Sequence, residues 1–163
     1  MHRRTFLLST LAALPIAIPG CAASADTPPP ERFEITRTVA EWRRTLSPTQ
    51  FRVLRDHGTE RPGSSPLDAE HRGGTFRCAG CELPLFESAA KFDSGTGWPS
   101  FSAPIAGAVG TSVDRSVFDV RTEVHCRRCG GHLGHVFDDG PAPTGQRYCM
   151  NGVAMTFAPA GGL

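Results

Sequence analysis

The sequence predicts a mainly β domain led in by two short helices, and three observations carry that expectation. Two capping signals stand close together, at Thr38/Glu41 and at Ser47/Gln50. From Gly74 onward helical periodicity is absent, and short β-prone runs alternate with Gly, Pro and Asp. Two C-x-x-C pairs, Cys78/Cys81 and Cys126/Cys129, stand far apart in the chain, which suits a clamp between distant hairpins better than a compact finger.

Taken in order, residues 1–25 read as an export signal. "MHRRTFLLSTLAALPIAIPGCAASA" has a basic start, an apolar run from Phe6 to Ile18 and small residues after it. Pro15 and Pro19 break the run, which is too short for a stable membrane-spanning helix. Arg3-Arg4-Thr5-Phe6-Leu7 resembles a twin-arginine signal, which carries folded proteins out of the bacterial cytoplasm. Two processing sites compete. "IPGC" resembles a lipoprotein box that would leave Cys21 acylated as a lipid anchor, whereas Ala23-Ser24-Ala25 fits a cleavage site that discards it. The expected location is therefore the periplasm, with the protein free or membrane-anchored. Residues 26–37, which include "DTPPPERFE", form a Pro-rich spacer, and residues 38–163 form the single domain that a chain of 163 residues supports.

Either cut removes two arginines and no acid, so 17 basic and 16 acidic residues become 15 and 16. That balance excludes a nucleic-acid protein held by a general positive field. A monomer satisfies everything the sequence demands.

Thr38 caps the first helix. Ser47, with Pro48 at the first helical position, caps the second, whose buried face carries Phe51 and Leu54 and which Gly58 ends. The turn-rich loop "TERPGSSPLDAEHRGG" follows. The runs "TFRC", "SVFDVRTEVHC", "HLGHVF" and "GVAMTF" are the strand candidates, in an antiparallel arrangement.

Four cysteines at two-residue gaps suit a closed tetrahedral site, and thiolates are soft ligands that favour Zn2+ as a structural ion. Two disulfides, or a redox C-x-x-C, are the alternatives in an oxidising compartment. Cys149 is left without a partner. It is either a buried free cysteine or a nucleophile, and Arg147, two residues earlier on the same strand face, supplies positive potential that favours thiolate. In "GGHLGHVFDDG", His132 and His135 are either zinc ligands or imidazoles presented beside Cys149, and the second reading is preferred because four cysteines already suffice for the ion; Asn151 is a further hydrogen-bonding group. Trp98 in "SGTGWPSF" is either core or an apolar pocket wall.

"KFDSGTGWPSF", "CAGC…CRRCGGHLGHVFDDGP" and "RYCMNG", in that order after "LSPTQFRVLRDHGTE", resemble the B-type peptide-methionine (R)-S-oxide reductases from about Thr38 to Phe157. Together these motifs are specific, and none is so alone. The resemblance implies two antiparallel sheets with short N-terminal helices and a structural zinc on Cys78, Cys81, Cys126 and Cys129. It implies Cys149 as catalytic nucleophile, His132 and His135 as acid and orienting groups, Asn151 fixing the sulfoxide oxygen and Arg147 tuning the thiolate. Trp98 would pack on the substrate methyl group, with Phe101 as a further substrate contact. The implied substrates are oxidised proteins carrying methionine-R-sulfoxide.

One departure matters. Thr96 stands where much of that family has a resolving cysteine, so the sulfenic acid left on Cys149 would be reduced by a small thiol or a thioredoxin-like partner, or else by a surviving Cys21. Gly152 and Val153 depart more mildly. The competing expectations are an exported thiol–disulfide oxidoreductase, dependent on the C-x-x-C pairs, and a zinc-ribbon-like binding module with Arg127 and Arg128 as contacts.

Overall fold

A computed structural model describes residues 31–116 and 119–161. The export signal, Cys21 and the start of the Pro-rich spacer lie outside the described residues.

The two helices start where their caps predict. In α1 (Val39–Thr45) the Thr38 hydroxyl accepts from the Glu41 amide while the Glu41 carboxylate accepts from the Thr38 amide, and in α2 (Pro48–Leu54) Ser47 and Gln50 repeat the exchange. Phe51 and Leu54 are buried as expected, together with Val53. The end of α2 differs. The helix stops at Leu54 rather than running to Gly58, and His57 takes the left-handed conformation, φ 52°. Histidine is among the non-glycine residues that tolerate that region.

Nine strands follow among the described residues: β1 (Gly74–Cys78), β2 (Pro84–Glu87), β3 (Lys91–Phe92), β4 (Ser100–Phe101), β5 (Val109–Asp114), β6 (Arg121–Cys126), β7 (His132–Phe137), β8 (Arg147–Met150) and β9 (Met155–Pro159). They form two antiparallel sheets, ordered β2-β1-β9 and β3-β4-β8-β7-β6-β5. The protein is therefore mainly β, as the sequence predicts. "GVAMTF" is not one strand: Gly152–Ala154 make a 3₁₀ turn, and β9 begins only at Met155. The turn exists because the buried Glu60 carboxylate accepts the amides of Gly152 and Val153 at 2.6 and 2.9 Å, which pulls the chain out of extended form.

The core lies where Phe76, Phe86, Phe101, Leu133 and Met150 meet, all fully buried, with Trp42, Phe51 and Leu54 closing it from the helices. The two C-x-x-C turns sit at the ends of hairpins from different sheets. Cys78 is the last residue of β1 and Cys126 the last of β6. A cluster joining them therefore ties one sheet to the other.

Candidate active site

The four paired cysteines converge, with their sulfurs all within 4.8 Å of one another. Contacts run between the turns: Cys78 to Cys129 is 3.7 Å and Cys81 to Cys126 is 3.5 Å. A tetrahedral ion with ligand bonds of about 2.3 Å to sulfur places its sulfurs about 3.8 Å apart. The observed spacing fits that arrangement, and all four cysteines are free thiols. Four thiols are close enough to hold one metal ion, and neither C-x-x-C is closed as a disulfide.

Cys149 stands elsewhere, in the middle of β8, and its surroundings follow from sheet register. Ser100 of β4 opposes it on one side and His135 of β7 on the other, while Glu123 of β6 opposes His135 and Ser112 of β5 opposes Glu123. Directly opposed residues share a face of the sheet. Ser112, Glu123, His135, Cys149 and Ser100 thus form one polar row across five strands.

His132 reaches this face by a different route. Three residues before His135, regular alternation would put it on the opposite side. The pairing of β6 with β7 slips between Val124 and His125, leaving Leu133 without a partner in the register, and this bulge turns His132 back toward Glu123. Its Nδ1 lies 2.7 Å from Glu123 Oε1, and its ring meets that of His135 at 5.4 Å between centroids.

A small cleft of about 140 Å³ opens over Cys149. Trp98 and Phe137 supply its apolar walls and Arg121 and His135 its polar side, with Thr59 and Asn151 completing it. Trp98 is held by its indole N–H, which donates to the Glu60 carbonyl at 3.2 Å. Gly97 makes the supporting loop feasible: its φ is 84°, and a β-carbon there would come within 2.9 Å of Pro62 and the Gly63 amide.

Arg147 acts on Cys149 in the direction expected, toward thiolate, but burial outweighs it. Burial raises the Cys149 thiol above its ordinary value of 9.0 and outweighs the downward pulls of Thr96, Arg147 and Ser100. Arg147 is near enough to act on the sulfur, but its guanidinium makes a two-pronged pair with Asp139, at 2.8 Å each, and lies over the Phe137 ring at 4.5 Å. The resting group is therefore a thiol. Burial likewise lowers His135 below 6.5, against the Asp114 carboxylate 2.8 Å from its Nε2. Asp114 is itself held well below the carboxylate range by hydrogen bonds from Ser116, His135 and Arg121.

One residue named from the sequence stands differently. Phe101 is fully buried and stacks on Phe86 with ring centroids 4.3 Å apart, so it is core and not a substrate contact. The reason is alternation: Ser100 faces Cys149, and the next residue along the strand must face the other way. Asn151 borders the cleft, but its amide holds backbone. Oδ1 accepts from the Glu60 amide at 2.9 Å and Nδ2 donates to the Leu133 carbonyl at 3.0 Å. It fastens the Glu60 segment to β7 at the edge of the cleft. Conversely Glu60, Asp114, Arg121, Glu123 and Phe137 were not singled out from the sequence. Arg121 and Glu123, two apart on one strand, carry the one local signal, a charged face at the start of a strand whose second half is buried.

Fold and site together place a cysteine in a small cleft beside a histidine, on sheets joined at a cluster of four thiols. The SelR domain family matches residues 46–159. Curated relatives carrying the name peptide methionine sulfoxide reductase MsrB include one from Agrobacterium fabrum, 51% identical over 127 residues, covering 77% of this chain and 94% of the relative. One from Pseudomonas putida is 52% identical over 130 residues, 79% and 98%. One from Thiobacillus denitrificans is 53% identical over 124 residues, 76% and 94%. The chain belongs to this family, the B-type peptide-methionine (R)-S-oxide reductases.

Proposed function

We propose that the protein reduces the R epimer of methionine sulfoxide in oxidised proteins by direct attack of Cys149 on the sulfoxide sulfur. The observation that supports this best is the opposition of Cys149 and His135 across one rung, at the floor of a cleft walled by Trp98 and Phe137. The S-methyl group packs on those rings, which orients the stereogenic sulfur over Cys149. A sulfoxide sulfur is a poor electrophile until its oxygen takes a proton, so nucleophile and acid must act together.

The resting thiol and neutral imidazole hold one proton between them. Cys149 passes it to His135, the thiolate sulfur bonds to the methionine sulfur, and the imidazolium delivers the proton to the oxygen as the methionine sulfur–oxygen bond breaks, leaving hydroxide in the cleft; the hydroxide then attacks the Cys149 sulfur and breaks the sulfur–sulfur bond. Oxygen ends on Cys149 as a sulfenic acid and the methionine sulfur keeps an electron pair; the thiol is oxidised by two electrons and the sulfoxide reduced by two. Arg121 and Asp114 position His135 from behind. His132, hydrogen-bonded to Glu123, backs His135 rather than facing the sulfur.

Thr96 has its hydroxyl 4.0 Å from the Cys149 sulfur, so no thiol resolves the sulfenic acid from that position. An external small thiol or thioredoxin-like protein attacks it, releasing water and leaving a mixed disulfide that a second thiol opens. Cys78, Cys81, Cys126 and Cys129 would hold a zinc ion, which would join the hairpins and supply no step of the reaction. The protein acts as an exported monomer, with residues 1–25 as its signal and Cys21 as lipid anchor or discarded.

The test is turnover of separated R and S epimers of a methionine-sulfoxide peptide with dithiothreitol, comparing the protein with its Cys149→Ser variant. Reduction of R alone, abolished in the variant, supports the reading. Equal reduction of both epimers, or activity that survives the substitution, overturns it.

A further inference from the structure

Behind the polar row lies a second cleft, lined by His57, Asp114, Glu123, His132 and His135, that the proposed reaction does not fill. Two imidazoles converge there on one carboxylate oxygen. Glu123 Oε1 lies 3.0 Å from His57 Nδ1 and 2.7 Å from His132 Nδ1, and all three ligand atoms are within 4.8 Å of one another. The carboxylate is pre-set: Ser112 donates to its other oxygen at 2.6 Å, so Oε1 is the one presented, and the hydrogen bond from His132 holds the group ionised, down at about 2. The left-handed turn at His57 brings its exposed ring to within 5.2 Å of the His132 ring.

We infer that His57, Glu123 and His132 form a second divalent-cation site, distinct from the four-cysteine cluster and suited to Zn2+ or a similar borderline ion. Two imidazole nitrogens and one carboxylate oxygen are a recurrent zinc donor set, with a fourth position left to water. Ligand bonds of about 2.0–2.1 Å place neighbouring donors about 3.3 Å apart in a tetrahedron, a small spreading of the present contacts. The solvent-facing His57 supplies the entry side. The second nitrogen of His132, buried and without a hydrogen-bond partner, takes the ring proton when Nδ1 coordinates. A cation there draws on a histidine in contact with His135, so occupancy is coupled to the reaction site. Binding itself does not depend on the proposed chemistry.

The experiment uses the full chain carrying Cys149→Ser, with the four-cysteine cluster filled by Zn2+, titrated with Co2+ and followed by absorption. The expected result is one further equivalent, with visible d–d bands of a nitrogen/oxygen site, no near-ultraviolet sulfur-to-cobalt band, and displacement by added Zn2+. His57→Ala, on an exposed side chain that does not touch the core, should weaken uptake at least about tenfold, and Glu123→Gln should do the same. No cobalt beyond the cysteine cluster, a sulfur charge-transfer band, or uptake indifferent to His57→Ala would each overturn the site.

Discussion

Cys149 on β8 and His135 on β7 oppose each other directly across the sheet, and burial moves their proton affinities apart, the thiol up and the imidazole down. At neutral pH the pair therefore holds one proton, on sulfur. An enzyme that needs a thiolate and an acid in the same event is well served by that state, since both are made by one internal transfer.

The pH profile of kcat/KM follows. Below the lowered His135 value the pair gains a second proton and the nucleophile is blocked; above the raised Cys149 value it has none and the acid is missing. The expected curve is a plateau with its acid limb below 6.5 and its alkaline limb above 9.0, the ordinary values from which the two groups are displaced. Asp114→Asn removes a charge that raises His135, so the acid limb moves to lower pH. Arg147→Met removes a charge that lowers Cys149, so the alkaline limb moves to higher pH. A rate that climbs steadily from pH 7 to 9 contradicts the scheme.

His135→Gln keeps a polar side chain of similar reach but cannot carry the proton. Its expected cost is about 10²–10⁴ in kcat, with a smaller effect on KM, measured with saturating peptide sulfoxide.

Glu60 connects three parts of the site. Its carboxylate holds the amides of Gly152 and Val153, its own amide holds Asn151, and its carbonyl holds Trp98. Glu60→Ala leaves two backbone donors without their acceptor, at roughly 1–3 kcal/mol each where they stay dry. The expected outcome is a lower denaturation midpoint together with a raised KM, because the segment whose backbone holds Trp98 and Asn151 loses its side-chain anchor to Gly152 and Val153. Unchanged KM in a variant that is measurably destabilised would separate Glu60 from substrate binding.

Thr96→Cys places a thiol where a hydroxyl lies 4.0 Å from the Cys149 sulfur. After one turnover without added thiol, this variant should hold a disulfide between the two positions, seen as loss of two thiols per methionine formed, whereas the natural chain holds a sulfenic acid.

Removing metal from the four-cysteine cluster should release the β1–β2 hairpin from the β6–β7 hairpin. Binding energies of such sites are on the order of 10 kcal/mol, comparable to the whole stability of a domain. Chelation, or Cys126→Ser, should therefore abolish the cooperative thermal transition rather than shift it by a few degrees.

What was readable in the sequence was local or stereotyped. The capping boxes at Thr38 and Ser47 span three residues, and the C-x-x-C pairs declare themselves by spacing. Sheet register is neither. That His135 opposes Cys149 depends on a pairing across 14 residues, and that His132 joins them depends on a bulge at Leu133 which no local pattern announces. The backbone partners of Asn151 are 18 and 91 residues away and leave no local trace, and Phe101 faces the core because its neighbour in the same motif, Ser100, faces the site. Arg147 was correctly placed beside Cys149, but burial, invisible from the sequence, outweighs its charge.

The most direct test of the central claim is a single turnover with stoichiometric methionine-R-sulfoxide peptide and no thiol, followed by dimedone trapping and mass spectrometry. The account predicts one methionine per chain and a dimedone adduct on Cys149 alone. A disulfide within or between the C-x-x-C pairs, with Cys149 unmodified, would contradict it.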